Sequence, residues 1–360
     1  MKEQDFLNDI MGFDPSNLDA FHPQEAKRND NPDIYKTNPI KFSTSEDGHY
    51  HSQVRVLYNP FNFKDSIVKQ VKYSMTDVNG FFRADSRLAI GDTRCPIFSA
   101  WKKLHFAKDA SGQPDKEKDD FAKRMFDKAE TQWVLVQIIE DDNQPDLVGK
   151  FKVWKLPMTV WEKMQDKMNP APEKKKAPQA LMDYLFGPVL SIDVTPGPDD
   201  PKNPERKQRE ISYTLCDFES DACPIIKTDG TQLFTDEELE LIDAYNTAKS
   251  AVNKAKTEKA KAEKQADVDK MTADIKKLYI KALNYMKENA LNVSEICGYH
   301  EWDEALTARV NNWIKLVLEM KDPATTVTSE VAPNAGTLHA NDDIFEQVAN
   351  EEVNEGDLPF

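Results

Sequence analysis

Residues 131–156 read TQWVLVQIIEDDNQPDLVGKFKVWKL. Two runs rich in Val, Ile, Leu and Trp flank a polar stretch with Asp, Asn and Pro, the pattern of two strands joined by a turn. Outward from this pair the same texture recurs upstream in QVRVLYNP from residue 53, in SIVKQVKYS, and in FFRADSRLAI behind the turn signal Asn79-Gly80. Downstream it returns in PVLSIDVTP and REISYTLCDF. Seven short strands predict a barrel or a sandwich. Helical patterns interrupt them near Pro96–Phe106, Lys116–Lys128, Met158–Lys167 and Gln179–Phe186, which a plain sandwich does not need. The expectation is a β-rich α+β protein on an elaborated small barrel. The Pro-rich, partly basic loops NPAPEKKKAP and TPGPDDPKNPERKQRE are expected on the surface, mobile until a ligand orders them.

The flanking segments differ in character. Residues 1–40, rich in Asp, Asn and Pro, hold one amphipathic stretch with Phe6, Ile10 and Phe13 at helical spacing. It reads either as a loose arm or as a docking peptide for self-association with a neighbouring subunit. Residues 41–232 hold the strands. Residues 233–321 are helical, opening with a capping box at Thr235 and Glu238. Large apolar residues thin out between Val252 and Val268, which predicts a protruding polar hairpin closing near Gln265–Asp267. A core-facing stripe of Leu306, Val310, Trp313, Ile314 and Val317 marks a last helix over Trp302–Met320. Residues 322–360 have the composition of a disordered acidic tail.

Charge is unevenly distributed. The chain of 360 residues carries Lys+Arg 47 against Asp+Glu 63, a net charge of -16, which taken as an average disfavours a nucleic-acid partner. Yet residues 322–360 contain 9 acids and no Lys or Arg, so the body is nearly neutral and a basic face is allowed. The acidic N-terminus lacks the charge and apolar run of a signal peptide, and no stretch is apolar enough to span a bilayer, so a soluble cytoplasmic protein without membrane attachment is expected. Cys95, Cys216, Cys223 and Cys297 lie far apart, which argues for reduced thiols rather than disulfides or a zinc knuckle.

Cations and rings interleave along the early strands: Arg55, Phe61, Phe63, Lys69, Lys72, Tyr73, Phe81, Phe82, Arg83, Arg87 and Arg94. Unpaired bases stack on rings while Lys and Arg follow phosphates, so the pattern suits single-stranded nucleic acid. Alternate strand positions must point inwards, so about half of these rings belong to the core, and only one of Phe81 and Phe82 can stack. From this set the candidate binding residues are Arg55, Phe63, Lys72, Tyr73, Phe82, Arg83, Arg87 and Arg94. Lys102, Lys103, Lys155, Arg206, Lys207 and Arg209 are added as further cations. The chain ends NDDIFEQVANEEVNEGDLPF. Its last residues, Asp357, Leu358, Pro359 and Phe360, offer an aromatic ring and a free carboxylate to a partner with an apolar pocket and a basic rim.

That ending resembles the acidic tip of bacterial single-stranded-DNA-binding proteins. The stretch from about Gln53 to Met164 resembles the core of the T-even phage helix-destabilising protein, a single-stranded-DNA-binding protein on an OB-fold. The likeness rests on IGDTRCPIFSAWKKL, with its Gly-Asp and Cys-Pro leading into a helix. It continues through AKRMFDKAETQWVLVQIIEDDNQPDLVGKFKVWKLPMTVWEKM. The resemblance implies an elaborated OB-fold core with an added helical hairpin. It also implies binding and protection of single-stranded DNA in phage-type replication, recombination and repair, with replication or repair proteins recruited through the tip. Lys123, Arg124 and Lys128 match the basic approach that lines the DNA groove, Lys150 and Lys152 match a Gly-Lys strand, and Trp133 opens the matching strand as either a core or a stacking ring. Two features of the family are missing. Of its zinc ligands only Cys95 is present, the other positions reading Tyr73, Ser86 and Phe98, so no metal or other cofactor is expected. The basic, Ser/Thr-containing N-terminal motif is also absent. An acidic tail tethered to a basic groove would compete with DNA until displaced.

Phosphate-cradling, zinc-protease and nucleophile-elbow motifs are all absent, so an enzyme is not expected. The competing function is a virion or scaffold protein that uses the helical arm and tail for protein contacts alone.

Overall fold

The computed structural model describes residues 3–14, 50–174, 177–200, 203–211, 218, 221–255 and 257–326. The acidic tail and its tip, Asp357–Phe360, lie outside them, as does Cys216. The architecture is α+β. Its strands are β1 (Tyr50–Leu57), β2 (Ile67–Asp77), β3 (Gly80–Asp85), β4 (Asp127–Asp141), β5 (Phe151–Leu156), β6 (Leu190–Asp200) and β7 (Asn203–Ile211). Its helices are α1 (Glu3–Gly12), α2 (Pro96–His105), α3 (Lys116–Met125), α4 (Met158–Met168), α5 (Asp236–Asn253), α6 (Glu258–Asn289), α7 (Val293–Cys297) and α8 (Glu304–Leu318). Two compact units arise, each assembled from separate parts of the chain. The first takes described residues up to 68 and 132–297, the second 69–131 and 298–326.

In the first unit β5, β4, β1, β6 and β7 lie side by side in that order, every pair antiparallel. The pairing Val134↔Trp154 and Val136↔Lys152 confirms the two strands read from residues 131–156. Val134, Leu135, Val136 and Ile138 of the first run and Val153 of the second are buried completely. Of the Pro-rich stretch 195–210, expected as a loop, residues 195–200 and 203–210 instead lie on the β6–β7 ladder. Irregular register between Pro196 and Asp200 accommodates Pro196 and Pro198, since bulges tolerate residues with no N–H. Of REISYTLCDF, Phe218 forms a bridge to Leu190 and residues 212–217 lie outside the described set.

Three helical expectations need correction. The Gln179–Phe186 stretch is a turn, not a helix. Asp183 accepts hydrogen bonds from the backbone N–H of Leu185 (2.8 Å) and Phe186 (2.9 Å), a local competitor of helix hydrogen bonding. The break between α5 and α6 falls at residues 254–257 rather than near Gln265–Asp267, because Thr257 caps α6 by accepting from the Ala260 N–H at 3.2 Å. The α5 capping box of Thr235 and Glu238 is formed as read. Finally, α1 is neither a loose arm nor an open docking stripe. Phe6 (1 % exposed), Leu7 and Ile10 sit in the first unit's own core, Phe6 against Phe63 and Tyr184. The apolar stripe is therefore already covered, as a stripe this short requires.

The second unit packs the β2–β3 hairpin on α2, α3 and α8. Tyr73, Met75, Phe82 and Ala84 from the inner hairpin face meet Ile97, Leu104, Phe121 and the predicted α8 stripe of Val310, Trp313, Ile314 and Val317. Among the described residues no helix is long and apolar enough to cross a membrane.

Candidate nucleic-acid interface

The β2–β3 hairpin is the part of the predicted site that reaches solvent with a ring and a cation together. Its turn closes over Val78 and Asn79, with the Asn79 N–H donating to the Asp77 carboxylate (2.8 Å). Gly80 has φ +100, a conformation cheap only for glycine. In the ladder that follows, Thr76 pairs with Phe81, Ser74 with Arg83 and Lys72 with Asp85. Side chains alternate across a strand, so these six share the face opposite the core. Phe81 is 60 % exposed and the Arg83 guanidinium lies 5.2 Å from its ring centroid. Phe82 points the other way and is buried under the guanidinium of Arg309, 4.1 Å from its ring.

The hairpin is held from beneath. Arg309 grips the Asp77 carboxylate with two hydrogen bonds, at 2.7 and 2.8 Å, which pulls that carboxyl below its ordinary range. The Trp313 indole donates to the Thr76 carbonyl (3.2 Å) and the Trp302 indole to the Asp85 carbonyl (2.8 Å). Phe81 and Arg83 are thus displayed on a fixed strand, which lowers the cost of ordering them on binding.

The remaining predicted cations of this unit are at or near the surface, most of them paired. Lys72 is 3.5 Å from Asp85. Arg87 Nε donates to the Tyr299 hydroxyl (3.3 Å), which raises the Arg87 pKa, and the guanidinium sits near Asp92 and Glu301. Arg94, 77 % exposed, holds Asp92 at 3.0 Å. Lys102 and Lys103 are half-buried on α2. Lys123 is exposed and 2.7 Å from Asp119, Arg124 lies over the Phe121 ring, and Lys128 bonds Glu130 at 2.8 Å. Such exposed pairs are weak and can exchange a carboxylate for a phosphate.

The first unit treats its candidates differently. Arg55 is 0 % exposed. Its Nη2 donates to the Asp183 carbonyl, its Nε and Nη1 have no hydrogen-bond partner, and burial lowers its pKa to about 10. The space is so tight that a Cβ on Gly187 would lie 2.6 Å from Nη2. Phe63 (3 % exposed) is enclosed by Phe6, Phe13 and Tyr58, and Trp133 is 9 % exposed. Arg55, Phe63 and Trp133 are therefore core residues, as are Tyr73 and Phe82 of the second unit, and none can meet a ligand. On β5 the exposed Lys155 and half-buried Lys152 are three residues apart and so face opposite sides, while Lys150 is exposed just ahead of the strand. Arg206, Lys207 and Arg209 belong to β7, with Lys207 opposite Asp199 and Arg209 opposite Pro196; their side chains lie outside the described set.

The positions matched to zinc ligands also converge. Ser86 Oγ donates to Cys95 Sγ at 3.5 Å, and burial, then the Cys95 thiol, pushes the Tyr73 phenol above its ordinary range. Phe98 packs against the same core. Among the described residues no group of three or more His, Cys, Asp or Glu could hold a metal ion. Sequence reading passed over Phe81 in favour of Phe82; the exposed partner is fixed only by which strand face meets α8. No family model matches the chain, and no curated protein matches it.

Proposed function

We propose that the protein binds single-stranded DNA without sequence preference, as the T-even helix-destabilising proteins that it resembles do, and protects it during replication, recombination and repair. The observation that carries this reading is Phe81, an exposed ring with Arg83 beside it on a braced hairpin, offering a base a stacking surface and its phosphate a charge. The local charge supports it. Residues 69–131 carry 13 Lys and Arg against 10 Asp and Glu in a chain whose net charge is -16. The gathering of Tyr73, Ser86 and Cys95 at one place supports the matched alignment with that family. The long β4, paired to β1 along one edge and to β5 along the other, with residues 135–137 shared, suits an elaborated OB-type core. The acidic tip is assigned to recruiting replication or repair proteins, its tail competing with DNA for the cations.

Quenching of tryptophan fluorescence by oligo(dT) tests the reading. The full chain should bind the single strand more tightly than the same sequence as duplex, with affinity falling as salt rises. Replacing Phe81 and Arg83 together by alanine should weaken binding at least about tenfold, from the ~1–3 kcal/mol of one stacked base and the loss of a cation. Equal affinity for both forms, or none for either, overturns it. Removal of residues 327–360 should tighten binding to the single strand.

A further inference from the structure

Arg55 lies wholly inside the first unit, where a guanidinium needs partners for its N–H groups and a counter-charge. Its surroundings supply neither in full. Nη2 donates to the Asp183 backbone carbonyl, while Nε and Nη1 have no hydrogen-bond partner. The Asp183 carboxylate is turned to other donors. Its Oδ2 accepts from the Tyr279 hydroxyl (2.6 Å), and its Oδ1 from the N–H groups of Leu185 and Phe186. The phenols packed around Asp183, those of Tyr58, Tyr184 and Tyr279, are pushed by burial well above their ordinary range and stay neutral.

The second acid at this place is the thiol of Cys223. Its segment runs beside the Asp183 turn, the Cys223 N–H donating to the Gly187 carbonyl (3.0 Å) and the Ile225 N–H to the Tyr184 carbonyl (3.1 Å). A Cβ on Gly187 would lie 2.6 Å from Arg55 Nη2, so the guanidinium and the backbone of Cys223 are held against the same glycine. Against the burial that lowers the Arg55 pKa to about 10, the Cys223 sulfur supports its charge ahead of Asp183. The thiol's own hydrogen bond, to the Pro224 carbonyl, is long at 3.8 Å, so losing the proton gives up little. Asp221, the nearest acid on the same segment, is exposed, and water screens its charge. Cys223 is half-buried, whereas Cys95 and Cys297 are 0 % and 1 % exposed.

We propose that the buried Arg55 guanidinium holds Cys223 as a thiolate and makes it a site of modification by hydrogen peroxide. The sulfur lone pair attacks one peroxide oxygen, the O–O bond breaks, and hydroxide leaves and takes a proton from water. Sulfur is oxidised by two electrons to the sulfenic acid as the peroxide is reduced. Arg55 does not meet the oxidant and is a positioning residue, acting through the charge that it places beside the sulfur. The site stands apart from the single-strand reading, since it belongs to the first unit's core and not to the β2–β3 hairpin.

The test is alkylation of the full chain by iodoacetamide from pH 5 to 9, read by mass spectrometry after cleavage at Glu219, which separates Cys216 from Cys223. The rate at Cys223 should rise with a midpoint below about 7.5, against about 8.5 for the same residue in urea. Brief exposure to hydrogen peroxide followed by dimedone should label Cys223, and Cys223→Ser should remove that label. Arg55→Met should raise the midpoint by at least about one unit, toward that of an ordinary thiol. Because removing Arg55 also disturbs the core, the wild-type profile decides by itself. A midpoint above about 7.5, or dimedone on Cys95, Cys216 or Cys297 in place of Cys223, overturns the proposal. So does an Arg55→Met chain that keeps the wild-type circular dichroism yet titrates unchanged. Neither result bears on oligo(dT) binding, so the two readings fail separately.

Discussion

The unit that contains Arg55 and the unit that contains Arg83 start from the same material, strands along which cations and rings alternate, and they dispose of it in opposite ways. In the first, the end of β1 is buried on both faces and encloses Arg55, and Phe63 beyond it and Trp133 on β4 are buried as well. In the second, the hairpin has one face on α8 and one in water, so Phe82 goes in and Phe81 with Arg83 goes out. The lesson is that interleaving alone does not mark a binding surface; a strand must be covered on one side only. A cation enclosed in a two-sided core cannot reach a phosphate, whatever its place in the pattern.

The sharpest way to break this comparison is to truncate one ring from each unit. Phe63→Ala should lower stability by about 3–5 kcal/mol through the cavity it leaves, while Phe81→Ala should leave the denaturation midpoint nearly unchanged and act on binding instead. Chemical denaturation of both variants decides it, and a large loss from Phe81→Ala would erase the distinction. Next in size is a buried carboxyl in the first unit. Asp65 is 3 % exposed, its Oδ1 has no hydrogen-bond partner, and burial raises its pKa from 3.8 to about 6 against the pull of Asn62 and Ser294. A raised acid pKa means that the folded state disfavours the charged form. The cost is absent below about pH 4, grows between 4 and 6, and is complete above 6. At 1.36 kcal/mol per unit it reaches about 3 kcal/mol. Asp65→Asn should therefore stabilise the protein at pH 8 and give no gain at pH 3.5, read from denaturation at the two values. The smallest effect belongs to the surface of the second unit. Lys123→Ala should not shift the denaturation midpoint, since its pair with Asp119 is exposed, yet should reduce the salt slope of oligo(dT) binding by about one.

Periodicity and turn chemistry alone specified much of the molecule. The strand pair of residues 131–156, the α5 capping box and the α8 stripe are local signals, written in neighbouring residues, and each formed where read; the Asn79-Gly80 signal marked the right hairpin, but its turn closes one residue earlier, over Val78 and Asn79. Local competition explains the misses: Asp183 captures the N–H groups that a helix over 179–186 would need, and Thr257 caps α6 earlier than the apolar thinning suggested.

Tertiary packing decided what no local pattern holds, namely which of two alternating faces is covered. Phe81 and Phe82 are identical residues at adjacent positions, and so long as the strand is considered alone their roles are interchangeable. The symmetry is broken by Arg309 and Trp313, more than 200 residues further along the chain, which lock one face of the hairpin by binding Asp77 and Thr76. Burial is a property of the assembled neighbours and not of the strand. For that reason the chain's composition could announce a ring-and-cation chemistry while only the folded arrangement could say which rings and cations are free to perform it.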